Sequence, residues 1–376
     1  MMFEFEIPPI VLHVMFEFAI ALIVTLSLNL EVGVAGIAQF GRVLAVMVGG
    51  FVAGAIPGRL LTLMFKDRII EVIARDMEML GIKDPVSEYY NHMINFKLVA
   101  KITEILSHDP LLSVGIFVFT LVVAALVGAA VGYITAFPAI RLKAAYLGIT
   151  LLAFGDVLMI VGWNYDPIVG GTQGVNVPDV FRWVGAGTPR FLAATFTVLG
   201  LAILVLIFVE RLVRSPFGRA LKAMRDAELA AKVYGKDIVK LRSHALILGS
   251  ALAAIGGALY IMYVGSCKAI TFTRLTWTFW PWAFMMLGGT GNNLGVAFGV
   301  LVFVIVKTIV VMYRGGLAPY VPFDPVWLEY TLVGLAIVLI ALFRPQGILP
   351  EKPVLTLPRE RIESVAKAFK SSSSKS

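Results

Sequence analysis

The sequence predicts an all-α protein that crosses a membrane many times. Of its 376 residues, 59% are hydrophobic and only 15% carry a charge, a composition far more apolar than that of a soluble domain. Runs of about 20 apolar residues, the length at which a helix spans a bilayer, recur along the chain. A helix closes its own backbone hydrogen bonds in lipid, and the alternating pattern of a membrane β-barrel is absent from the sequence.

Nine hydrophobic segments are predicted, and some of them could be discontinuous. They cover residues 10–30, 33–57, 111–136, 142–163, 191–213, 244–264, 271–290, 294–313 and 326–343. We divide the chain into N-terminal spans (1–58), an extramembrane insert (59–109), a membrane core (110–343) with a charged loop (214–243), and a tail (344–376). The serine-rich end of the tail is disordered by composition.

Glycines recur at every fourth position in several of these segments. The spacing is found in three places, namely Gly50/Gly54/Gly58, Gly128/Gly132 and Gly295/Gly299. Small residues at this spacing let helix backbones approach closely. We therefore expect helix packing, rather than ligand binding, at these positions.

The insert 59–109 is too polar to span a bilayer. Apolar residues at three- and four-residue spacing predict an amphipathic helix over 60–80, which Gly81 ends, and a second helix over 86–106. Asp109 is placed to cap the next span. A pair of helices at the membrane interface is the first interpretation, and a docking surface for an external partner is the second.

The distribution of Lys and Arg predicts the orientation in the membrane. The segment 210–243 holds nine basic and four acidic residues, the tail 344–376 holds seven and three, and the link 137–143 adds Arg141 and Lys143. These segments share one side if nine spans are threaded in order, and basic loops are typically cytoplasmic. We expect the N-terminus outside and the C-terminus in the cytoplasm, although Lys268 and Arg274 in the loop 265–280 do not fit this trend.

The segment 215–235, SPFGRALKAMRDAELAAKVYG, predicts a polar helix between two apolar spans. Ser215 suits the N-cap, Pro216 the first position and Gly235 the residue after the C-cap, so we expect one helix of about five turns. Many alanines keep the helix slim, which favours insertion into a groove on another protein. A solvated helix attracted to anionic headgroups by its basic side chains is the equal alternative.

No catalytic or metal site is predicted. The chain contains no G-x-x-x-x-G-K-[ST] phosphate loop, so any ATP chemistry must belong to another subunit. No Ser-His-Asp, Cys-His or paired-carboxylate set fits a membrane geometry. The four histidines lack metal spacing, and the single Cys267 excludes an intrachain disulfide and a cysteine-based metal site.

Several stretches in the same order along the chain resemble ABC-type permeases for branched-chain amino acids. They are LSLNLEVGVAGIAQFGRVLAVMVGGFVAG (26–54), FPAIRLKAAYLGITLLAFGDVLMIV (137–161), VGGTQGVNVP (169–178), SPFGRALKAMRDAELAAKVYGKDIVKLR (215–242), MMLGGTGNNLGVAFG (285–299) and FRPQGILP (343–350). RLKAAYLGITLLAFG and FRPQG look more like the second of two paired permeases. The insert 59–109 is longer than this family's pattern leads us to expect.

The resemblance implies a heterodimer of two related permeases, two ABC ATPase subunits and an extracytoplasmic substrate-binding protein in the plasma membrane. ATP and Mg would then be bound by the ATPases and no cofactor by this chain, and no nucleic acid is expected as a partner. The resemblance also implies that Arg225–Gly235 forms the coupling segment seated on an ATPase. The residues expected to carry this coupling are Arg219, Arg225, Asp226, Glu228, Ala231 and Gly235.

Four polar residues within apolar segments are candidates for a substrate pathway: Asn29, Gln39, Thr150 and Asp156. Asn29 and Gln39 could bind a substrate amino or carboxylate group, or satisfy backbone groups where glycines break a helix. Asp156 could meet a substrate ammonium, or a hydrogen-bond partner or Arg on another helix, and Lys307, distant along the chain, is a candidate partner. Arg42 could pair with Glu31 or reach the headgroups.

Three further features lie around the membrane boundary. Trp277, Trp280 and Trp282 are predicted to form an interfacial aromatic belt. The stretches GGTQG (170–174) and GGTGN (288–292) are predicted as loops or helix breaks on opposite sides of the membrane.

The leading functional interpretation is the permease subunit of an ATP-driven importer of Leu, Ile or Val that works by alternating access. The same family also imports urea, short amides and other amino acids, and these are the alternative substrates. A secondary transporter driven by protons or sodium would need a cluster of intramembrane acids. A membrane scaffold without transport activity is the remaining alternative.

Overall fold

The computed structural model describes residues 8–80, 84–142, 144–317, 326–351 and 364. Within these residues the chain is almost entirely helical, and seven helices are long and apolar enough to cross a membrane. A polytopic all-α membrane fold is therefore confirmed. The predicted helix end at Gly81, the basic residue Lys143 and the end of the tail lie outside the described residues.

The elements follow one another in a simple order. The α-helices are α1 (Pro9–Asn29), α2 (Arg42–Met64), α3 (Lys66–Leu80), α4 (His92–His108), α5 (Pro110–Arg141), α6 (Ala144–Asn164), α7 (Asp166–Val169), α8 (Thr188–Arg214), α9 (Pro216–Asp226), α10 (Glu228–Val233), α11 (Ile238–Val264), α12 (Trp280–Gly288), α13 (Asn293–Leu317) and α14 (Val326–Phe343). The π-helical turn Leu30–Val34 continues α1, and a second π-helical turn, Leu275–Phe279, precedes α12. Two short strands, β1 (Val175–Asn176) and β2 (Ser266–Cys267), pair antiparallel.

One predicted span differs in form from the others. The segment 271–290 is not one long helix but a π turn followed by the nine-residue α12. Pro281 lies in the first turn of α12, where its missing N–H is tolerated. Gly289 has a positive φ of 119° and ends the helix, because that backbone conformation is rarely available to other residues.

Helices α2 and α11 form the centre of the bundle. In an 18-residue apolar stretch of each helix, 78% of the residues of α2 and 72% of the residues of α11 are buried. Helix α5 packs along α11. Glycines allow this approach, as Gly132 of α5 lies against the Leu246 carbonyl and Gly257 of α11 lies against the Val46 carbonyl. Helix packing at Gly128 and Gly132, expected from their spacing, is thus present in the structure.

Adding one methyl group at Gly257 should destabilise the bundle. A Cβ atom there would collide with the backbone of α2 at Val46, and overpacking of this kind costs about 1–3 kcal/mol. Gly257→Ala should therefore lower the thermal midpoint of the purified protein. Gly200→Ala is the matched control, because nothing lies within 4 Å of a Cβ at that position and alanine favours a helix by about 1 kcal/mol. Equal midpoints for the two variants would contradict the packing at this crossing.

The insert folds over one end of the bundle. Its helices are α3 and α4, and α2 extends into it as far as Met64, so the predicted helix over 60–80 is broken at Phe65. The Tyr89 hydroxyl donates to the Asn176 carbonyl at 2.8 Å, and the Asn95 side chain accepts from the Asn176 N–H at 2.7 Å. The predicted cap is present, with Asp109 accepting from the Leu112 N–H at 3.0 Å. We call this the insert end.

The described parts of the three basic segments, 137–142, 210–243 and 344–351, lie at the opposite end, which we call the basic end. Along α5, Gly128 and then Gly132 meet positions progressively earlier in α11, so the two helices are antiparallel. Arg141 at the end of α5 therefore lies near the start of α11. Arg225 of the charged loop contacts Glu351 of the tail. The described residues of the segments assigned to one side from their charge thus lie at one end of the bundle.

Candidate functional site

The segment 215–235 projects from the basic end as two helices rather than one. Ser215 caps α9 by accepting from the Gly218 N–H at 3.3 Å, and Gly235 has the expected positive φ, 75°. The single predicted helix is wrong, because Ala227 leaves helical geometry (φ −154°, ψ 82°) between α9 and α10. The break lets Leu221 of α9 pack into the core while Glu228 reaches Arg242 of α11 at 2.7 Å.

Arg225 is the point at which this segment is fixed to the membrane helices. Its Nη1 donates to the carbonyl of Gly33, in the π turn that ends α1. The same nitrogen lies 2.8 Å from Glu351 Oε2, and Nε lies 2.8 Å from Asp226 Oδ1. One guanidinium thus joins α9 to the end of α1 and to the start of the tail.

Glu351 forms an ion pair with a second basic side chain of α9. Lys222 Nζ lies 2.7 Å from Glu351 Oε1. Next to this pair is a cleft of about 450 Å³ whose charged wall also includes Arg214, Arg219 and Glu210. Arg219 donates to the Arg214 carbonyl at 3.1 Å. The basic side chains of α9 are therefore held against the bundle and the tail.

A chain of polar side chains lies beneath the cleft. Arg214 lies 2.6 Å from Glu210 Oε1, and Asn293 Nδ2 donates to Glu210 Oε2 at 2.8 Å. Asn29 Nδ2 donates to Asn293 Oδ1 at 2.9 Å, and Asn29 Oδ1 accepts from the Gly291 N–H at 2.9 Å. Asn29 is fully buried and satisfies backbone freed at the GGTGN loop, which is the second of its two predicted roles.

Three large apolar side chains are exposed on α10 and on the residue that follows it, beside the exposed Glu228 and Lys232. Leu229, Val233 and Tyr234 are 82%, 85% and 84% exposed, whereas Ala231 is buried. Sequence reasoning concentrated on the charges of this segment and did not single out Val233 and Tyr234. The sequence pattern that could have identified them is the spacing of large apolar residues, with Val233 four and Tyr234 five positions after Leu229.

The side chains of Gln39 and Thr150 form hydrogen bonds with backbone groups of the protein. Gln39 Oε1 accepts from the Gly41 N–H at 2.9 Å, and the Gln39 carbonyl accepts from Trp282 Nε1 at 3.0 Å. Thr150 donates to the Tyr146 carbonyl one turn earlier in α6, at 2.9 Å. Gln39 is buried and Thr150 is partly exposed.

Three further acid–base pairs include the intramembrane residues Glu31, Asp156 and Lys307. Glu31 pairs with Arg42, as one alternative predicted, and both side chains are fully buried. Asp156 pairs with Arg274, so Lys307 is not its partner. Lys307 instead lies 3.2 Å from Glu17 of α1, in a cavity of the bundle. The sequence did not single out Glu17, because no local pattern links two residues this far apart.

The predicted tryptophan belt is also different in the structure. Trp277 and Trp280 are buried, at 6% and 5% exposure. Trp280 packs edge-on against Phe303 of α13, with ring centres 5.2 Å apart. These rings therefore form part of the interior of the bundle. Among the described residues, no group of three or more His, Cys, Asp or Glu side chains is placed to hold a metal ion.

The amino-acid sequence of this chain is similar to those of known transport proteins. The family described as "Branched-chain amino acid transport system / permease component" matches residues 10–341. A probable branched-chain amino acid transport permease protein LivM from Methanocaldococcus jannaschii is 41% identical over 347 residues, 92% of this chain and 94% of that protein. The high-affinity LivM permease of Salmonella typhimurium is 28% identical over 266 residues, 64% and 58% of the two chains. No solved structure matches the chain.

Proposed function

Because the chain belongs to the branched-chain amino acid permease family of ABC transporters, as a permease of the LivM type, we propose that it imports Leu, Ile and Val by alternating access. It is a transport subunit and not an enzyme, and the family implies ATPase and substrate-binding-protein partners. A heterodimer with a second permease, two ATPases that bind ATP and Mg, and a binding protein outside the plasma membrane complete the proposed assembly.

The exposed apolar surface of α10 is the observation that carries the coupling proposal. Leu229, Val233 and Tyr234 are each more than four fifths exposed on a segment that projects from the bundle. Large apolar and aromatic side chains of this kind act as anchors in protein interfaces. The proposed occupant of this surface is the ATPase subunit.

The alternative, a helix held on anionic headgroups by its cations, fits the contacts less well. Lys222, Arg225 and Arg242 each already contact a carboxylate of the same chain. A cation that is already paired with a carboxylate is attracted less strongly to a lipid phosphate. The exposed side chains of the segment include the apolar group Leu229, Val233 and Tyr234 beside Lys232, and this apolar group favours a protein groove.

The contacts of Arg225 suggest how motion enters the membrane. A displacement of α10 by the ATPase would be passed to α9 and, through Arg225, to the π turn at Gly33. That turn continues directly from α1, whose helix packs against α8, α11 and α13. Rocking of α1 against these helices is the proposed conformational change.

The ion-driven alternative has little support in the structure. A secondary transporter needs intramembrane acids that can take up and release an ion. Glu17, Glu31 and Asp156 each have a cationic partner instead. Family membership likewise favours ATP as the energy source. Urea, short amides and other amino acids remain alternatives for the substrate.

Uptake by the reconstituted complex tests the proposed function. Proteoliposomes holding this chain with its second permease and ATPases, with the binding protein added outside, should accumulate radiolabelled leucine only when ATP is enclosed. Collapse of the proton and sodium gradients should leave the uptake unchanged. Uptake that continues without ATP and stops when the gradients collapse would overturn the proposal.

Single-cysteine labelling tests the proposed orientation. Burial raises the pKa of the Cys267 thiol to about 12, so this natural cysteine should not react, since the thiolate is the reactive form. Met93 of α4 is 70% exposed at the insert end, and Leu229 is 82% exposed at the other. An impermeant maleimide should label Met93→Cys in right-side-out vesicles and Leu229→Cys in inside-out vesicles.

Two further outcomes of the labelling are informative. Bound ATPase should slow the labelling of Leu229→Cys and leave that of Met93→Cys unchanged. Labelling of Leu229→Cys from the outside would contradict the orientation and the coupling role together.

A further inference from the structure

A partly open cavity between helices lies beside the ion pair of Glu17 and Lys307. Glu17 belongs to α1 and Lys307 to α13, and the cavity of about 150 Å³ beside them is completed by α11 and by the π turn and α12. Its walls are otherwise mainly apolar and aromatic, and include Ile20, Val24, Tyr260, Trp277, Trp280 and Phe284. The cavity therefore combines one positive and one negative group with an apolar surface.

This pair differs from the fully buried ion pair of Glu31 and Arg42. Glu31 and Arg42 are both 0% exposed, and Arg42 also donates to the Gly249 carbonyl at 3.0 Å. Glu17 and Lys307 are each 27% exposed and meet through one contact of 3.2 Å. An ammonium has three donors and a carboxylate about four acceptor positions, so both groups can bind further partners. Ionisable groups inside a membrane that remain accessible indicate a functional site.

We propose that this cavity is a transient binding site for the zwitterionic part of an α-amino acid, an inference that rests on the proposed function. The ligand carboxylate contacts the Lys307 ammonium, and the ligand ammonium contacts the Glu17 carboxylate. No net charge is brought into the membrane, because site and ligand are each neutral overall. When the ligand leaves, Glu17 and Lys307 pair with each other again, which avoids two unpaired charges in a low-dielectric interior.

The walls of the cavity fit an aliphatic side chain. A cavity of about this size lined by apolar residues holds a molecule such as benzene, which is comparable with the isobutyl group of leucine. Trp280 also stacks with the Lys307 ammonium, which lies 5.3 Å from the ring centre, and so fixes the cation beside the apolar wall. Discrimination by an apolar pocket is roughly tenfold or more per methylene, so leucine should be preferred to alanine.

The place of the cavity in the bundle suits a ligand that arrives at the insert end. Tyr260 lies in the last turn of α11 before Val264, which leads into the loop at that end. Glu17 lies in the first half of α1, before the chain reaches Gly33 at the basic end. The site is therefore nearer to the face where the binding protein is proposed to dock.

Leucine binding to the purified complex, without binding protein or nucleotide, tests the site directly. Glu17→Gln and Lys307→Gln should each weaken the binding of radiolabelled L-leucine at least about tenfold, the loss expected for one charged contact. Ala21→Leu fills the cavity from α1 while leaving both charges in place, and should weaken binding similarly. Glu104→Gln breaks an exposed ion pair of the insert and serves as the matched control with unchanged binding.

A charge exchange separates a ligand site from a structural pair. Glu17→Lys combined with Lys307→Glu keeps the ion pair and should restore the thermal midpoint. It should not restore binding of L-leucine, because the exchanged charges reverse the ligand and direct its side chain away from Trp280. Restored leucine binding in this variant, or binding within twofold of the wild type in both single variants, would overturn the inference.

The uptake assay keeps this inference separate from the proposed function. Normal ATP-driven leucine uptake by the wild type and by all cavity variants would refute the site and leave the proposed function standing. Absence of uptake by the wild type would refute the proposed function, and leucine binding to the purified complex would still decide whether the cavity holds an amino acid.

Discussion

Arg225→Ala should reduce ATP-driven leucine uptake by about tenfold or more while leaving the assembled complex in the membrane. Arg225 is the residue of the segment 215–235 that contacts the Gly33 carbonyl at the end of α1 and Glu351 of the tail. Alanine removes both contacts. The expected size follows from coupling energies of about 1–3 kcal/mol between sites, which correspond to changes of about 5- to 150-fold.

The physical reason is that the apolar contact with the ATPase and the link to α1 are made by different residues. Leu229, Val233 and Tyr234 are exposed and would still hold the ATPase. The variant should therefore hydrolyse ATP at a rate near that of the wild type, but hydrolysis should no longer respond to the loaded binding protein. Loss of uptake without loss of ATPase binding is the specific signature of this position.

Lys236→Ala provides the matched control, since Lys236 is an exposed cation immediately after the segment 215–235. Uptake and ATPase binding should both be unchanged in it. Glu351→Gln should have an intermediate effect, because Arg225 keeps its bond to Gly33. Normal uptake by Arg225→Ala would show that motion reaches the bundle by another route.

Local signals in the sequence were sufficient for much of the fold. The caps at Asp109 and Ser215 and the positive φ of Gly235 were predicted correctly, because each depends on a few neighbouring residues. The apolar spans were recognisable for the same reason, since composition over about 20 residues decides whether a helix can cross a bilayer. The family was recognisable from blocks that keep their order along the chain.

The features that sequence reasoning missed depend on contacts between distant residues. The break at Ala227 exists where α9 packs on the bundle and α10 pairs with Arg242, and helix propensity alone favours a continuous helix through these alanines. Asp156 was expected to have a partner, but Arg274 lies 118 positions away. Glu17 and Lys307 are 290 positions apart. Which acid meets which base is decided by helix packing.

The pairs Glu31–Arg42 and Glu17–Lys307 illustrate two uses of charge inside a membrane protein. The first is closed, with the carboxylate packed against Gly249 and both side chains inaccessible. The second is open to a cavity and incompletely bonded. A closed pair is expected to affect stability above all, whereas an open pair is expected to affect transport. The two classes can be separated by experiment.

Arg42→Met should destabilise the protein by about 3–5 kcal/mol, the cost of breaking a buried ion pair from one side. The Arg42 side chain is fully buried, pairs with Glu31 and donates to the Gly249 carbonyl at 3.0 Å. Methionine would leave the Glu31 carboxylate without a countercharge, and Glu31 lies in the π turn next to the Gly33 contact of Arg225. The free energy of unfolding, measured in bicelles, should fall accordingly.

The double variant Glu31→Met/Arg42→Met should recover much of that loss. Replacing a buried pair by apolar groups of similar volume is often neutral or stabilising, so the loss should come from the unpaired charge and not from the missing attraction. Lys101→Met is the control, because its pair with Glu104 is exposed and such pairs contribute about 0–1 kcal/mol. If the double variant were as unstable as Arg42→Met, the bond to Gly249 rather than the neutralisation of Glu31 would be the main contribution of Arg42. If Arg42→Met were as stable as Lys101→Met, the closed pair would not support the turn on which the coupling of α9 to α1 depends.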